Sequence, residues 1–343
     1  MSISATIILS RRGVLALDER VRMVSQATRV TEIVAADKPS EAVSRLVPGS
    51  LAYLLDVNAV TAAAAAALWA KRRPYVVDTG DDPATLARPR RGSGVAVAHG
   101  TVERLMLSRA SGVVCRGWFH QQILRAKTSA PLLWAPDTVP DQILDDRGVT
   151  TPLDDLVSSF GSASIPLTSD RAYGWEVVDL VARQADLRGL LVVNGPGIMA
   201  LRTRAARLGV SARIQIEPAM PLRTLAGRLA PAGFVTSVQS DDLAGWVRTT
   251  GKLPIALGMG KALLATRVGE ASRILPDCLL VSPGPDSDLI DQLAGAIAAG
   301  VPNGWDDRAR ALAERYRRST VAFELGSYLG SLEVAHAWRS TSR

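Results

Sequence analysis

The 343-residue chain is poor in several residue types, and each shortage narrows what it does. Two cysteines, Cys115 and Cys278, are too few for a disulfide framework. Each lies in an apolar run, so both read as buried free thiols, which suits a reducing compartment. Three histidines, His99, His120 and His336, show no spacing with Cys or carboxylates that would ligate a metal. Aromatic residues make up 5% of the chain, so no base-stacking platform is visible. The longest apolar run, 59–70, is roughly half of a bilayer span. The N-terminus has no charged stretch followed by a long apolar core, so no signal peptide is expected. Together these shortages point to a cytoplasmic protein that binds no nucleic acid.

What is present is a globular composition, 47% hydrophobic and 21% charged, with a net charge of +7. The length suits two ordinary domains. A basic balance favours anionic partners such as nucleotide phosphates, and it admits peripheral contact with an anionic membrane surface. The cations are spread through the sequence, which argues against a nucleic-acid stripe.

Apolar strand-like runs alternate with helical periods in both halves. In the first half, strands are expected at 5–9, 31–36, 50–55, 74–77, 112–115 and 131–135. Helices are expected at 17–28, 60–71, 101–109 and 118–127, and the Pro, Arg and Gly of 83–94 read as a loop. In the second half a weak strand near Phe160 is followed by strands at 190–193, 213–216, 234–238, 262–266 and 279–281. That rhythm implies parallel, doubly wound α/β sheets. The polar, proline-bearing 137–152 reads as a linker, giving domains at 1–150 and 151–320 and a closing helix within 321–343.

The most informative stretch is 248–270. Arg248, Thr249, Thr250, Gly251, Lys252 and Leu253 precede Pro254 and a short apolar helical run. A proline at a helix start, free amides and a neighbouring lysine make a place for phosphate. The bland alternative is a loop–helix–strand corner with a solvated lysine.

The block resembles the donor site of GT-B glycosyltransferases of the family-4-like, glycogen-synthase-like kind, which read K-L-x-E-Y-M-A-x-G-K-P-V-V-A-T-x-x-G-E. Lys252, Leu253, Gly260, Lys261, Ala265, Thr266, Gly269 and Glu270 match in order and spacing. The family's ribose-holding Glu falls on Ile255, which accepts no hydrogen bond. The preceding carboxylate position falls on Val247, and Asp241 or Asp242 is the substitute at hand. Three further stretches are similar to the family. Phe160-Gly161-Ser162 with Gly174-Trp175 stands where its second domain begins. Residues 192–197 resemble a glycine-rich strand end, and 76–82 resemble its V-V-x-T-x-H-D strand, with Asp81 at the histidine's place.

The resemblance implies a GT-B fold, two Rossmann-like domains facing a cleft, and sugar transfer from a nucleotide-diphosphate donor to an acceptor hydroxyl. It implies neither cofactor nor metal. It places Glu217, Met220 and residues 248–253 on the donor side. The family's phosphate-clamping Arg and Lys fall on Ser162 and Tyr173, and Arg171 is the nearest cation for that role. Gly13, Asp78 and His120 fall on the acceptor side, with Asp81 as base or sugar contact. Arg11, Arg12 and Gly13 stand in place of the usual glycine pair after the first strand. The acceptor's nature is open. Two alternatives stay open: a non-catalytic binding or auxiliary protein that lost the ribose carboxylate, and a nucleotide-sugar epimerase.

Overall fold

The computed structural model describes residues 3–10, 15–146, 153–162 and 173–341. It consists of two compact units. The first comprises Met1–Thr138 with Trp246–Thr249 and Arg318–Arg343, and the second Val139–Gly245 with Thr250–Arg317.

In the first unit β1 (Ser4–Leu9), α1 (Leu15–Ala27), β2 (Arg29–Ala35) and α2 (Pro39–Ser44) come first. They are followed by β3 (Leu51–Leu55), α3 (Ala59–Ala70), β4 (Tyr75–Thr79) and α4 (Pro83–Arg109). Then come β5 (Gly112–Cys115), α5 (Trp118–Lys127) and β6 (Leu132–Trp134). The sheet order is β2-β1-β3-β4-β5-β6, and every pairing is parallel. Strand side chains alternate between two buried faces. Ile8, Leu54, Val77 and Val113 go to one core, and Ile7, Leu9, Tyr53, Val76 and Val114 to the other. Helices cover both faces, so the strands are continuously apolar and readable as such.

The second unit opens with α6 (Asp141–Asp145), β7 (Leu153–Ser162), α7 (Trp175–Arg183), β8 (Arg188–Asn194) and α8 (Ile198–Arg207). It continues with β9 (Ile214–Glu217), α9 (Leu222–Leu229), β10 (Ala232–Ser237), α10 (Leu243–Val247), whose last two residues count with the first unit, and α11 (Lys252–Gly258). It closes with β11 (Ala262–Thr266), α12 (Ala271–Ile274), β12 (Leu280–Val281), α13 (Asp286–Ala298) and α14 (Trp305–Ala313). Its parallel sheet runs β12-β11-β10-β7-β8-β9. The chain therefore winds outward from β7 to β9, returns to the other side of β7 at β10, and winds outward again. Gly260 ends α11 at φ 72°, a left-handed position that suits glycine. Buried Arg310 of α14 clamps this corner, donating from Nη1 to the carbonyls of Asp146 and Gly258 at 3.0 Å.

Two expectations are corrected, the loop at 83–94 and the burial of Cys278, and two are sharpened. Residues 83–94 are helical, not a loop: Asp82 caps α4 by accepting the Thr85 amide at 2.8 Å, and Pro83 takes the first turn. The loop-like composition marks a kink at Gly92, where φ is 82°. The weak strand near Phe160 is the ten-residue centre of its sheet. Its buried Ser158 and Ser159 interrupt the apolar run and donate to the carbonyls of Phe234 and Thr236. The 137–152 stretch contains α6, and Cys278 is exposed, whereas Cys115 is buried as expected.

The last helix, α15 (Arg318–Thr341), lies on the α1 face of the first unit's sheet. Leu325 and Leu329 are fully buried there, each worth about 2 kcal/mol in transfer terms. Tyr328 Oη donates to the Pro131 carbonyl at 2.6 Å. Gly112 makes the close approach possible, since a Cβ there would overlap both Tyr328 and Leu332. Gly112→Ala should therefore destabilise the protein by about 1–3 kcal/mol through overpacking. An unchanged melting temperature would show that α15 does not pack on this strand.

Candidate functional site

In an open parallel sheet, the crevice for a ligand forms where successive connections leave in opposite directions, outside the carboxyl ends of the strands. In the second unit that point lies between β7 and β10, and Lys252 is directed to it. Its Nζ donates to Ser159 Oγ at 2.8 Å and reaches the Thr236 carbonyl at 3.4 Å. Ser159 belongs to β7 and Thr236 to β10, so one ammonium spans both strands of the reversal. Gly161, at φ 114°, keeps the end of β7 open, and a Cβ there would be 4.0 Å from Lys252 Cε.

The floor beneath Lys252 is rigid. Thr236 Oγ1 donates to Glu176 Oε1 at 2.8 Å, and the Gly174 amide donates to Glu176 Oε2 at 3.1 Å. Glu176 and Thr236 are buried and satisfied, so the start of α7 is tied to the end of β10. Sequence pattern alone does not single out Glu176. Its position directly after Gly174-Trp175 was the only available signal.

The amides flanking Pro254 behave differently from expectation. The Leu253 amide donates to the Thr250 carbonyl at 3.3 Å, and the Ile255 amide donates to Gly251 at 3.2 Å. These donors are spent inside the turn, which leaves the Lys252 side chain as the phosphate candidate. Thr250 Oγ1 is 3.4 Å from Ser237 Oγ, Gly251 is partly buried, and Leu253 is buried. Ile255 is 4% exposed and covers Gly251. Lys261, matched in the same block, is structural: its buried ammonium donates to the Ala230 carbonyl.

Other expected donor residues are placed elsewhere. Glu217 ends β9 and is held by Arg228 at 2.8 Å and 2.9 Å from Nε. That pairing keeps its carboxyl below the ordinary range. Met220 is partly buried in the following turn. Asp242 Oδ1 accepts the Gly245 amide at 2.8 Å as a cap of α10, and Asp241 is exposed. Arg248 and Thr249 belong to the first unit, not with Lys252. Arg248 Nε lies 4.0 Å from Asp81, and Thr249 Oγ1 donates to Asp137 at 3.1 Å. Gly13 and Arg171 lie outside the described residues.

The first unit gathers charge at the carboxyl edge of its sheet. Asp78, at the end of β4, is fully buried and accepts from Arg20 Nε and Tyr53 Oη, both at 2.6 Å. Arg116 bridges Asp78 and Asp56. Burial pushes the Asp78 carboxyl up, but Arg20 and Arg116 outweigh it and hold it below the usual range. Asp78 therefore has no surface for an acceptor, contrary to expectation. Asp82, the cap of α4, is also paired with Lys127 at 2.6 Å. Asp81, whose side chain is 48% exposed, is the carboxylate of this turn that remains accessible.

His120 is equally displaced from an acceptor role. It is fully buried in α5, and neither ring nitrogen has a hydrogen-bond partner.

No protein-family model matches the chain, and no curated protein matches it by sequence. Solved structures do. Sucrose-phosphate synthase from Thermosynechococcus elongatus superposes with a TM-score of 0.73 at 12% identity, over 97% of this chain and 100% of that one. The fold is GT-B. HepE from Anabaena, solved with UDP-glucose, gives 0.72 at 16% identity over 96% and 100% of the two chains. The lipopolysaccharide outer core galactosyltransferase WaaB gives 0.62 at 9% over 96% and 100%. The GT-B units of this chain are the two six-stranded sheets described above.

His120 gives a pH signature. Burial, followed by the nearby Lys127, pushes its pKa down from 6.5 to about 4. The unfolded chain therefore takes up this proton before the folded one. Stability is lost as pH falls from about 6.5 to about 4, by about 3 kcal/mol in total. His120→Phe should remove that component of acid unfolding, measured as denaturation midpoint against pH. An unaltered profile would contradict the burial of a neutral ring.

Proposed function

We propose that the chain transfers a sugar from a nucleotide-diphosphate donor to an acceptor hydroxyl, in the cytoplasm and without a metal ion. The observation that carries this reading is Lys252 Nζ at the β7/β10 reversal. Departure of a nucleoside diphosphate requires cationic stabilisation, most effective from a group already held in place. Lys252 supplies one charge from a fixed position. The likeness to a fold solved with UDP-glucose supports the same ligand class.

In this reading the second unit holds the donor. Lys252, with Thr250 and Gly251 beside it, takes the diphosphate, and Arg171 adds charge. Because the Glu217 carboxylate is occupied by Arg228, the backbone around Glu217 and Met220 holds the base. Asp81 acts on the acceptor side as base or sugar contact with Arg248 beside it, and Arg248 and Thr249 act in the first unit rather than as diphosphate ligands.

A second reading rests on Ile255. A buried aliphatic side chain stands at the family's ribose-carboxylate position, which favours a nucleotide-binding protein without transfer activity.

Calorimetric titration with UDP, GDP and ADP tests the site. Lys252→Ala should weaken diphosphate binding by about 10- to 100-fold, the worth of one charge-assisted hydrogen bond. Equal affinity in the variant would remove the diphosphate from this position. Sugar transfer that persists in EDTA supports the enzyme, whereas binding without turnover over a scanned donor set supports the second reading.

A further inference from the structure

One surface of the first unit serves none of the chemistry above. On the second half of α4, Val97, Val102 and Leu105 are exposed at 69%, 37% and 59%, and Trp69 at the end of α3 is exposed at 53%. Helical spacing places Val97, Thr101 and Leu105 along one line, with Ala98 and Val102 beside it. Arg109, about one turn beyond Leu105, lays its guanidinium 4.7 Å over the Trp69 ring, so the two helices present one continuous face. Isolated exposed apolar residues are ordinary, but four large ones on a single face are not.

The charge on this face has one sign. The described side chains of 59–73 and 92–109 include five Lys or Arg and a single acid, Glu103. Glu103 is buried and faces inward, accepting from Lys127 at 2.7 Å. Lys71, Arg72, Arg104 and Arg109 are exposed around the apolar strip. No acidic side chain among the described residues of these segments reaches the surface. Among the described residues no helix is long and apolar enough to cross a membrane.

We infer that this α3/α4 face docks onto an anionic lipid surface, with the valines, Leu105 and Trp69 entering the headgroup boundary and the cations pairing with lipid phosphates. Each part of the face is matched by that partner. Apolar side chains ringed by Lys and Arg bind membrane interfaces through buried area and attraction to anionic lipid, and tryptophan favours that depth. A second copy of the chain would set cation against cation. A nucleic acid would leave the apolar strip facing phosphate. The inference is independent of the transferase reading, because none of these residues belongs to the proposed site.

Co-sedimentation of the full chain tests it. Vesicles of phosphatidylcholine alone are compared with vesicles of equal parts phosphatidylcholine and phosphatidylglycerol. The wild type should pellet with the mixed vesicles only, and rising salt should release it. Arg104→Gln should lower the partition about fivefold, the contribution of one cation at such a surface. The paired substitution Val97→Asp with Leu105→Asp should lower it at least tenfold while leaving the melting temperature and nucleotide binding unchanged. Equal binding to both vesicle types, or none to either, would overturn the inference. Normal binding by the aspartate pair would do the same, leaving only non-specific charge attraction. Concentration-dependent dimerisation of the wild type that the aspartate pair abolishes would assign the face to a second copy instead.

Discussion

The second unit depends on one tether, an ammonium group shared between two strands at the point where the sheet reverses its winding. A lysine there would ordinarily sample many rotamers. Ser159 and the Thr236 carbonyl give it a fixed seat, and Glu176 fixes Thr236 in turn. Burying that much polar chemistry in the middle of a sheet is tolerated because each group is hydrogen-bonded. The result is a cation positioned in advance, in the crevice that this topology creates. Pre-positioned charge is worth more than mobile charge because no reorganisation is required when the ligand's own charge develops.

The first unit uses buried charge differently. Asp78, Arg20, Arg116 and Tyr53 form a closed set at the strand ends, with no group left for a ligand from Asp78. Removing one partner from such a set costs about 3–5 kcal/mol by stranding the others. Its effect is to fix the ends of β3, β4 and β5, and with them the turn that presents Asp81. Carboxylates one to four residues apart in sequence thus have separate fates. Asp78 locks the edge, Asp82 caps a helix, and Asp81 is presented outward.

Most of the architecture was legible, and the misreadings have physical causes. Strands such as β1, β4 and β11 are buried on both faces, so their continuous apolar runs announce them. The central β7 was faint because Ser158 and Ser159 are buried through hydrogen bonds rather than apolarity. The first half of α4 was hidden by Pro, Gly and Arg that belong to a cap and a kink. At the site, Lys252 was legible from its place before Pro254, but its partners were not, since Ser159 and Thr236 lie 93 and 16 residues away. Arg248 and Thr249 could not be separated from Lys252 by spacing alone. The chain passes from one unit to the other between Thr249 and Thr250.

A structure of the protein with UDP bound tests the central claim most directly. The account predicts diphosphate oxygens within hydrogen-bonding distance of Lys252 Nζ, outside the carboxyl ends of β7 and β10. A diphosphate bound at another strand end, with Lys252 still turned to Ser159 and Thr236, would contradict it.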